Sequence, residues 1–251
     1  MKRALGVALL LGVLAGPVWA KCRQALVLGL DVSGSVDKRE YRLQLDGLAS
    51  ALIDPDVQAA ILAQTASPVY LAVYEWSGPQ YQRILQGWTA VTNRQVLVEI
   101  SAGLANMKRH PATPGTALGS AMRFGADMLA NGPECWKRTL DISGDGKSNF
   151  GLHPRDVRQS LENSGLTLNA LVIGVDTPAT GAGRQVEIAE LSAYFQAWVI
   201  TGPDAFVETA IGFDDYRAAM TRKLLRELET LAVSSLDPAP VASPPRAVIS
   251  Q

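Results

Sequence analysis

Histidine is nearly absent from this sequence. The two that occur, His110 and His153, each precede a proline in a loop-like stretch. Surface loop histidines are the default reading, and a catalytic general base has little to be built from. Ser33 lacks the Gly-x-Ser-x-Gly elbow of a hydrolase nucleophile. The stretch Asp31-Val32-Ser33 lacks the second aspartate of an aspartyl-phosphate phosphatase. Gly146-Lys147-Ser148 imitates the end of a phosphate-binding loop, but the glycine needed five positions earlier is Asp141, whose carboxylate would repel phosphate. An excess of either charge is also lacking. The chain carries −1, and removing Lys2 and Arg3 with a leader leaves about −3, so nothing argues for nucleic acid or an anionic membrane as partner. No repeat is visible. After the first twenty residues no segment is long and apolar enough to span a bilayer.

Those first twenty residues read as a secretory signal. Met1-Lys2-Arg3 is a basic head, residues 4–14 are apolar, and Val18-Trp19-Ala20 offers the small residue a signal peptidase needs before Lys21. The competing reading is a retained anchor, for which the apolar run is short against the ~20 residues of a span. Lys21 before Cys22 argues against a lipid-modified cysteine. We expect a leader at 1–20, one large domain at 21–233 and a Pro-rich disordered tail at 234–251, and a periplasmic or secreted location.

Export permits a disulfide, and two cysteines are present. Cys22 lies nine residues before Asp31 and Cys135 ten before Asp145, each ahead of an apolar strand. If those strands are parallel neighbours, the cysteines start level, and a Cys22–Cys135 bridge closes a long loop. Two buried free thiols are the alternative.

Periodicity supplies the elements. Apolar runs at 25–31, 69–76, 137–143 and 168–175 read as buried strands. Residues 81–88 alternate and read as an antiparallel edge strand. A last short strand is expected at 197–200. Helical spacing marks 36–53, 57–63, 93–107, 117–130, 154–164, 185–193, 204–211 and 213–231. Strands alternating with helices imply an α/β fold: a doubly wound, mostly parallel six-stranded sheet with one antiparallel edge strand and helices on both faces. Ligands bind such sheets outside the carboxyl ends of the strands. Trp76 and Trp88 flank a hairpin and read as packing. Lys38-Arg39-Glu40 reads as a solvated first helical turn.

In a doubly wound sheet three loops can lie along that one edge. Gly29-Leu30-Asp31-Val32-Ser33-Gly34-Ser35 places three oxygen-bearing side chains two apart where a strand gives out. Gly34 permits a sharp fold, and such a loop aims hard oxygens at one point, as a small divalent cation requires. The plain reading is a turn in which Ser35 caps the next helix. Pro114-Gly115-Thr116-Ala117-Leu118-Gly119 puts Thr116 at a helix start, and Ser143-Gly144-Asp145-Gly146 puts Asp145 just past a strand. Singly these are a cap and a turn.

Together they resemble the von Willebrand factor A domain and its metal-ion-dependent adhesion site. The pattern is Asp-x-Ser-x-Ser, a downstream Thr after Gly, and an Asp-Gly after the fourth strand. It is met at Asp31, Ser33, Ser35, Thr116 and Asp145, over residues 23–232, and is most similar to exported bacterial members of unassigned function. The resemblance implies Mg²⁺ as cofactor, with Mn²⁺ or Ca²⁺ as alternatives, bound directly by the hydroxyls and in part through water by the carboxylates. It implies a protein partner that completes the shell with Asp or Glu, no catalytic residue, and a last helix, 213–231, that shifts on binding.

One position departs from the pattern. Asp141 interrupts an otherwise apolar strand, where a lone carboxylate is costly. Either backbone amides or an arginine such as Arg138 or Arg123 satisfy it, or it orients the metal loop from behind. Two rival functions stay open: a metal-dependent hydrolase on an anionic substrate with Asp145 or Asp141 as base, and a structural subunit with a vestigial metal loop.

Overall fold

Every one of the ten residues Cys22–Asp31 is buried, and they form the central strand β1. The computed structural model describes residues 22–174 and 182–229. Parallel to β1 run β2 (Val69–Trp76) and β4 (Cys135–Gly144) on its two sides. Outside β4 lie β5 (Thr167–Ile173) and β6 (Val207–Ala210), also parallel. The strand β3 (Gln82–Val91) pairs antiparallel with β2 at the far edge, giving the order β3-β2-β1-β4-β5-β6. The six-stranded, mostly parallel sheet with one antiparallel edge strand is therefore the observed architecture.

Strand alternation divides the core. Leu26, Leu28 and Leu30 face the helices α1 (Lys38–Leu52), α2 (Pro55–Leu62), α3 (Arg94–Ala105) and α7 (Tyr216–Leu228). Ala25 and Val27 face α4 (Leu118–Ala130), α5 (Pro154–Leu161) and α6 (Ala182–Trp198). Each fully buried leucine contributes about 1.5–3 kcal/mol by leaving water. Helix α7 lies so close to α1 that a Cβ on Gly47 would sit 2.8 Å from the Tyr216 ring. No helix among the described residues is long and apolar enough to cross a membrane.

The chain leaves β1 toward the α1 face and leaves β4 toward the α5 face. Two neighbouring strands thus send their loops to opposite sides, and the crevice between them is the switch point at which doubly wound sheets bind ligands.

The last third of the sequence reads differently in three dimensions. The expected strand at 197–200 is the end of α6 and the turn after it, because Phe195 on that helix and Val199 just past its end fill the core. Its β-branched character survives only as a single antiparallel bridge, Leu168 with Thr201. The expected helix at 204–211 instead holds β6, which extends the sheet beside β5. The 213–231 helix is a single 3₁₀ turn, Phe213–Asp215, followed by α7. The leader, the Pro-rich tail, Val175 and Leu231 lie outside the described residues.

Cys22 and Cys135 are register partners on β1 and β4, with Cα atoms 4.8 Å apart, and they are joined. The bridge spans a separation of 113 residues. A loop of that length predicts that Cys22→Ser with Cys135→Ser lowers stability by about 4–5 kcal/mol. Urea titrations of the variant and of the oxidised wild type check this.

Candidate metal centre

β1 stops at Asp31, and hydrogen bonds from both sides hold its end. Val32 N donates to Trp76 O at 2.9 Å, and the Gln44 amide on α1 donates to Asp31 O at 2.8 Å. The chain then turns so that Ser33 N donates to Asp31 Oδ1 at 2.8 Å and Val36 N to Ser33 O at 3.1 Å. Gly34 N donates to Pro114 O at 3.0 Å, and a Cβ on Gly34 would lie 2.8 Å from that oxygen. Only glycine fits so close an approach of two backbones.

Helix α1 is capped by Asp37, reciprocally with Glu40, and not by Ser35. The serine is thereby free to turn inward: Ser35 Oγ donates to Asp145 Oδ1 at 2.8 Å and lies 3.3 Å from Ser33 Oγ. Asp31, Ser33, Ser35 and Asp145 form one hydrogen-bonded cluster, although Asp145 comes from the far side of the sequence.

Thr116 is tied by its backbone to the loop that follows Asp145, and not to the side chains of this cluster. Its N–H donates to Asn149 Oδ1 at 2.9 Å, and its carbonyl accepts from Asn149 N at 3.0 Å and Ser148 Oγ at 3.2 Å. These bonds tie the second loop to the third, while Pro114 ties it to the first. Nor is Thr116 a helix cap: Ala117 occupies that position and makes no side-chain cap bond.

Asp31 is fully buried and Asp145 is 4% exposed. Burial, and then the charge of Asp145, hold the Asp31 carboxyl well above its ordinary range. Burial also raises Asp145, against the pull of the Ser35 hydroxyl. Asp31 Oδ2 has no hydrogen-bond partner among the described residues. Buried Glu75 shows the contrast, accepting from Tyr41 at 3.1 Å, Tyr81 at 2.6 Å and Arg83 at 2.8 Å. An orphaned carboxylate oxygen beside a second carboxylate and two hydroxyls is a set of hard oxygens that fits a small divalent cation. It does not fit a soft metal, and among the described residues no three His, Cys, Asp or Glu side chains cluster.

Asp141 has a partner that neither sequence reading named. Its Oδ1 lies 3.0 Å from Lys223 Nζ on α7, and both side chains are buried. Lys223 also donates to Glu227 at 2.6 Å, and Asn169 on β5 donates to the same Glu227 oxygen at 2.7 Å. Arg138 and Arg123 turn elsewhere, to Ser164 O and Ser160 Oγ. Alternation along β4 points Asp141 at α7, and the neighbouring inward residue, Ser143, meets the Tyr216 hydroxyl at 3.3 Å. The signal was legible: Lys223 and Glu227 fall on the buried stripe of α7 with Tyr216, Met220 and Leu224. Burial pushes Asp141 up to about 7, with Lys223 pulling it down and Glu227 pushing further up. For Lys223 burial acts downward, but Asp141 and Glu227 outweigh it and hold the ammonium above its ordinary value.

His153 caps α5, its Nδ1 accepting from Arg155 N at 3.1 Å, and its ring meets the edge of Trp198.

A family model described as "Protein of unknown function (DUF1194)" matches residues 21–232. No curated protein matches the chain. Solved structures do. The pilus adhesin SpaC from Lactobacillus rhamnosus GG is 16% identical, with 82% of this chain and 30% of that chain covered and a TM-score of 0.57. A von Willebrand factor type A protein from Catenulispora acidiphila is 15% identical, with 82% and 42% covered and a TM-score of 0.52. The proximal thread matrix protein 1 of the mussel byssus, with a zinc-occupied MIDAS motif, is 18% identical, with 82% and 48% covered and a TM-score of 0.52. The chain spans less than half the length of each, and the likeness is one of fold: the von Willebrand A type of α/β sheet.

Two outcomes follow from the buried ion cluster. Lys223→Met leaves two carboxylates without their cation and costs about 3–5 kcal/mol in urea unfolding. Asp141 protonates near its ordinary value of 3.8 in the unfolded chain but near 7 in the fold. Its contribution to stability is therefore complete below that ordinary value and is lost as pH rises through about 7. Relative to the wild type, Asp141→Asn gains stability steadily across that window, read from urea midpoints at each pH.

Proposed function

The chain belongs to the DUF1194 family, and from the geometry of its loop rim we propose that it is a divalent-cation-dependent protein-binding module of the adhesion or assembly type. The observation that carries this reading is the buried Asp31 Oδ2, without a hydrogen-bond partner among the described residues, set against Asp145 and two serine hydroxyls. A cation removes the mutual repulsion of the two carboxylates and supplies the missing partner. Asp31, Ser33, Ser35, Thr116 and Asp145 would hold it.

Hard oxygens favour Mg²⁺, with Mn²⁺ or Ca²⁺ as the other candidates. With only two carboxylates in the set, a bound divalent cation is neutralised but not over-compensated, and a coordination position left to water can be filled by an Asp or Glu side chain offered by a partner. The residues of this chain then have three tasks. Ser33 N and the Trp76 carbonyl fix the Asp31 turn. Asn149 fixes Thr116. The Ser35 hydroxyl, now donating to Asp145, holds that carboxylate in place. Each is a positioning task, and the site is a binding site rather than a catalytic one.

The solved mussel protein with its zinc-occupied motif and the pilus adhesin support the reading by analogy of fold. The Cys22–Cys135 bridge supports an oxidising compartment, the periplasm or the exterior, with residues 1–20 as the signal.

Calorimetry with Mg²⁺, Mn²⁺ and Ca²⁺ tests the proposal. At least one gives saturable heat with the wild type, and Asp31→Ala and Asp145→Ala abolish it. Absence of binding by all three sinks it and favours a vestigial loop. Retention of an envelope protein in Mg²⁺ but not in chelator, lost with Asp31→Ala, is the expected second result.

A further inference from the structure

Beside the candidate metal centre lies an apolar groove of about 540 Å³. Pro79 and Tyr81 from the turn between β2 and β3 form one wall, Thr113, Pro114 and Gly115 form the floor, and Phe150 forms the other wall. We infer that this groove receives a large apolar side chain of the same partner segment whose carboxylate reaches the metal site, with the two side chains two positions apart. The inference deepens the reading above and rests on it.

The walls are preformed. Ser77 Oγ donates to Thr113 O, and Ala117 N donates to Ser77 O at 2.8 Å, which locks the hairpin turn to the second loop. A Cβ on Gly78 would collide with Thr113 Oγ1, so the two segments are in direct contact. The Phe150 Cβ lies 3.4 Å from the position a Gly115 Cβ would take. A groove whose walls are already hydrogen-bonded does not have to be ordered when a ligand enters.

Its apolar surface is left open. Phe150 is 63% exposed and Leu152, two residues on, 51% exposed. Large apolar side chains clustered in the open beside polar ligands mark an interaction surface. Positive charge flanks it: Arg109 donates to Val32 O in the first loop, and Lys147, two positions after Asp145, is 54% exposed at its side chain and lies 3.9 Å from the exposed Glu190. Acid on one side and hydrocarbon on the other is the chemistry this rim complements.

Contiguity sets the spacing. The groove and the metal loops share one stretch of backbone: Pro114 and Gly115 line the groove, and Thr116 follows at once. Pro114 and Thr116 are two residues apart, at most about 7 Å. An extended partner segment places side chains on one face at every second position, at nearly the same interval. A carboxylate at one position and an apolar side chain two away therefore fit the two sites together.

Short Gly/Ser peptides with one Asp, and with Phe placed one, two or three positions to either side or omitted, test this. Binding is followed by NMR titration, which reads millimolar affinities, in Mg²⁺ and in chelator. We expect Mg²⁺-dependent binding about tenfold tighter with Phe two positions from Asp than without it. Phe150→Ser removes that gain while the calorimetric Mg²⁺ heat persists. Equal affinity for all peptides, or a preference at another spacing, overturns the inference and leaves the metal reading standing. So does Mg²⁺ heat with no peptide binding at all. An equal gain from Phe when Asp is replaced by Asn overturns it too, because the two sites then act separately. Loss of the Mg²⁺ heat itself in the wild type would instead remove the metal reading, and this inference with it.

Discussion

Two buried carboxylates repel each other at the point where the sheet divides. Asp31 ends β1 and Asp145 follows β4, and the charge of Asp145 raises the Asp31 carboxyl. Such a pair is costly in a low-dielectric site, and it persists only because the surrounding backbone holds it. Ser33 N donates to one Asp31 oxygen and Ser35 Oγ to one Asp145 oxygen, and Asp31 Oδ2 has no hydrogen-bond partner among the described residues. The rest of the rim follows from that arrangement. The Asp31 turn is pinned by Gln44 and by β2, the third loop is pinned by Asn149 and Ser148, and Pro114 closes against Gly34. Two buried carboxylates held this close by backbone hydrogen bonds are suited to gaining a cation.

A second group of buried charges works in the opposite manner. Asp141, Lys223 and Glu227 lie under α7 with their cation included, and Asn169 joins them. Here attraction outweighs desolvation for Lys223 and opposes it for Asp141, and the ions tie strand β4 to α7. Ser143 and Tyr216 continue the same seam toward the metal loops. The strand that carries Asp145 is thus attached on one face to α7 by polar groups and on the other face to α4 and α5 by Leu140 and Ile142. The disulfide anchors its far end to β1. Asp141 therefore reaches the metal loop only along its own strand, and its ion partner is α7.

Much of this was legible in the chain. The near-continuous apolar runs at 25–31 and 69–76 could only be buried strands, and the alternation at 81–88 could only be an edge. Nearly equal spacing, nine residues from Cys22 to Asp31 and ten from Cys135 to Asp145, made the bridge predictable once the strands were parallel. The errors came where local signals compete. Val199, Ile200 and Thr201 have β-branched side chains, yet a helix that began upstream kept Phe195 and Val199 in the core. Residues 207–210 are too few and too mixed to declare themselves, and only the open edge of β5 made them a strand.

The chain alone determined the α/β class, the three oxygen-rich loops and the position of each strand that feeds them, because periodicity and glycine placement are local properties. Tertiary structure decided the rest. It turned Ser35 away from capping and toward Asp145, since Asp37 with Glu40 capped α1 instead. It chose Lys223 over Arg138 and Arg123 for Asp141, since which side chains meet across a sheet depends on the helix packed on that face. It also left one carboxylate oxygen of Asp31 without a partner, a consequence of two strands sending their loops to opposite sides of the same crevice.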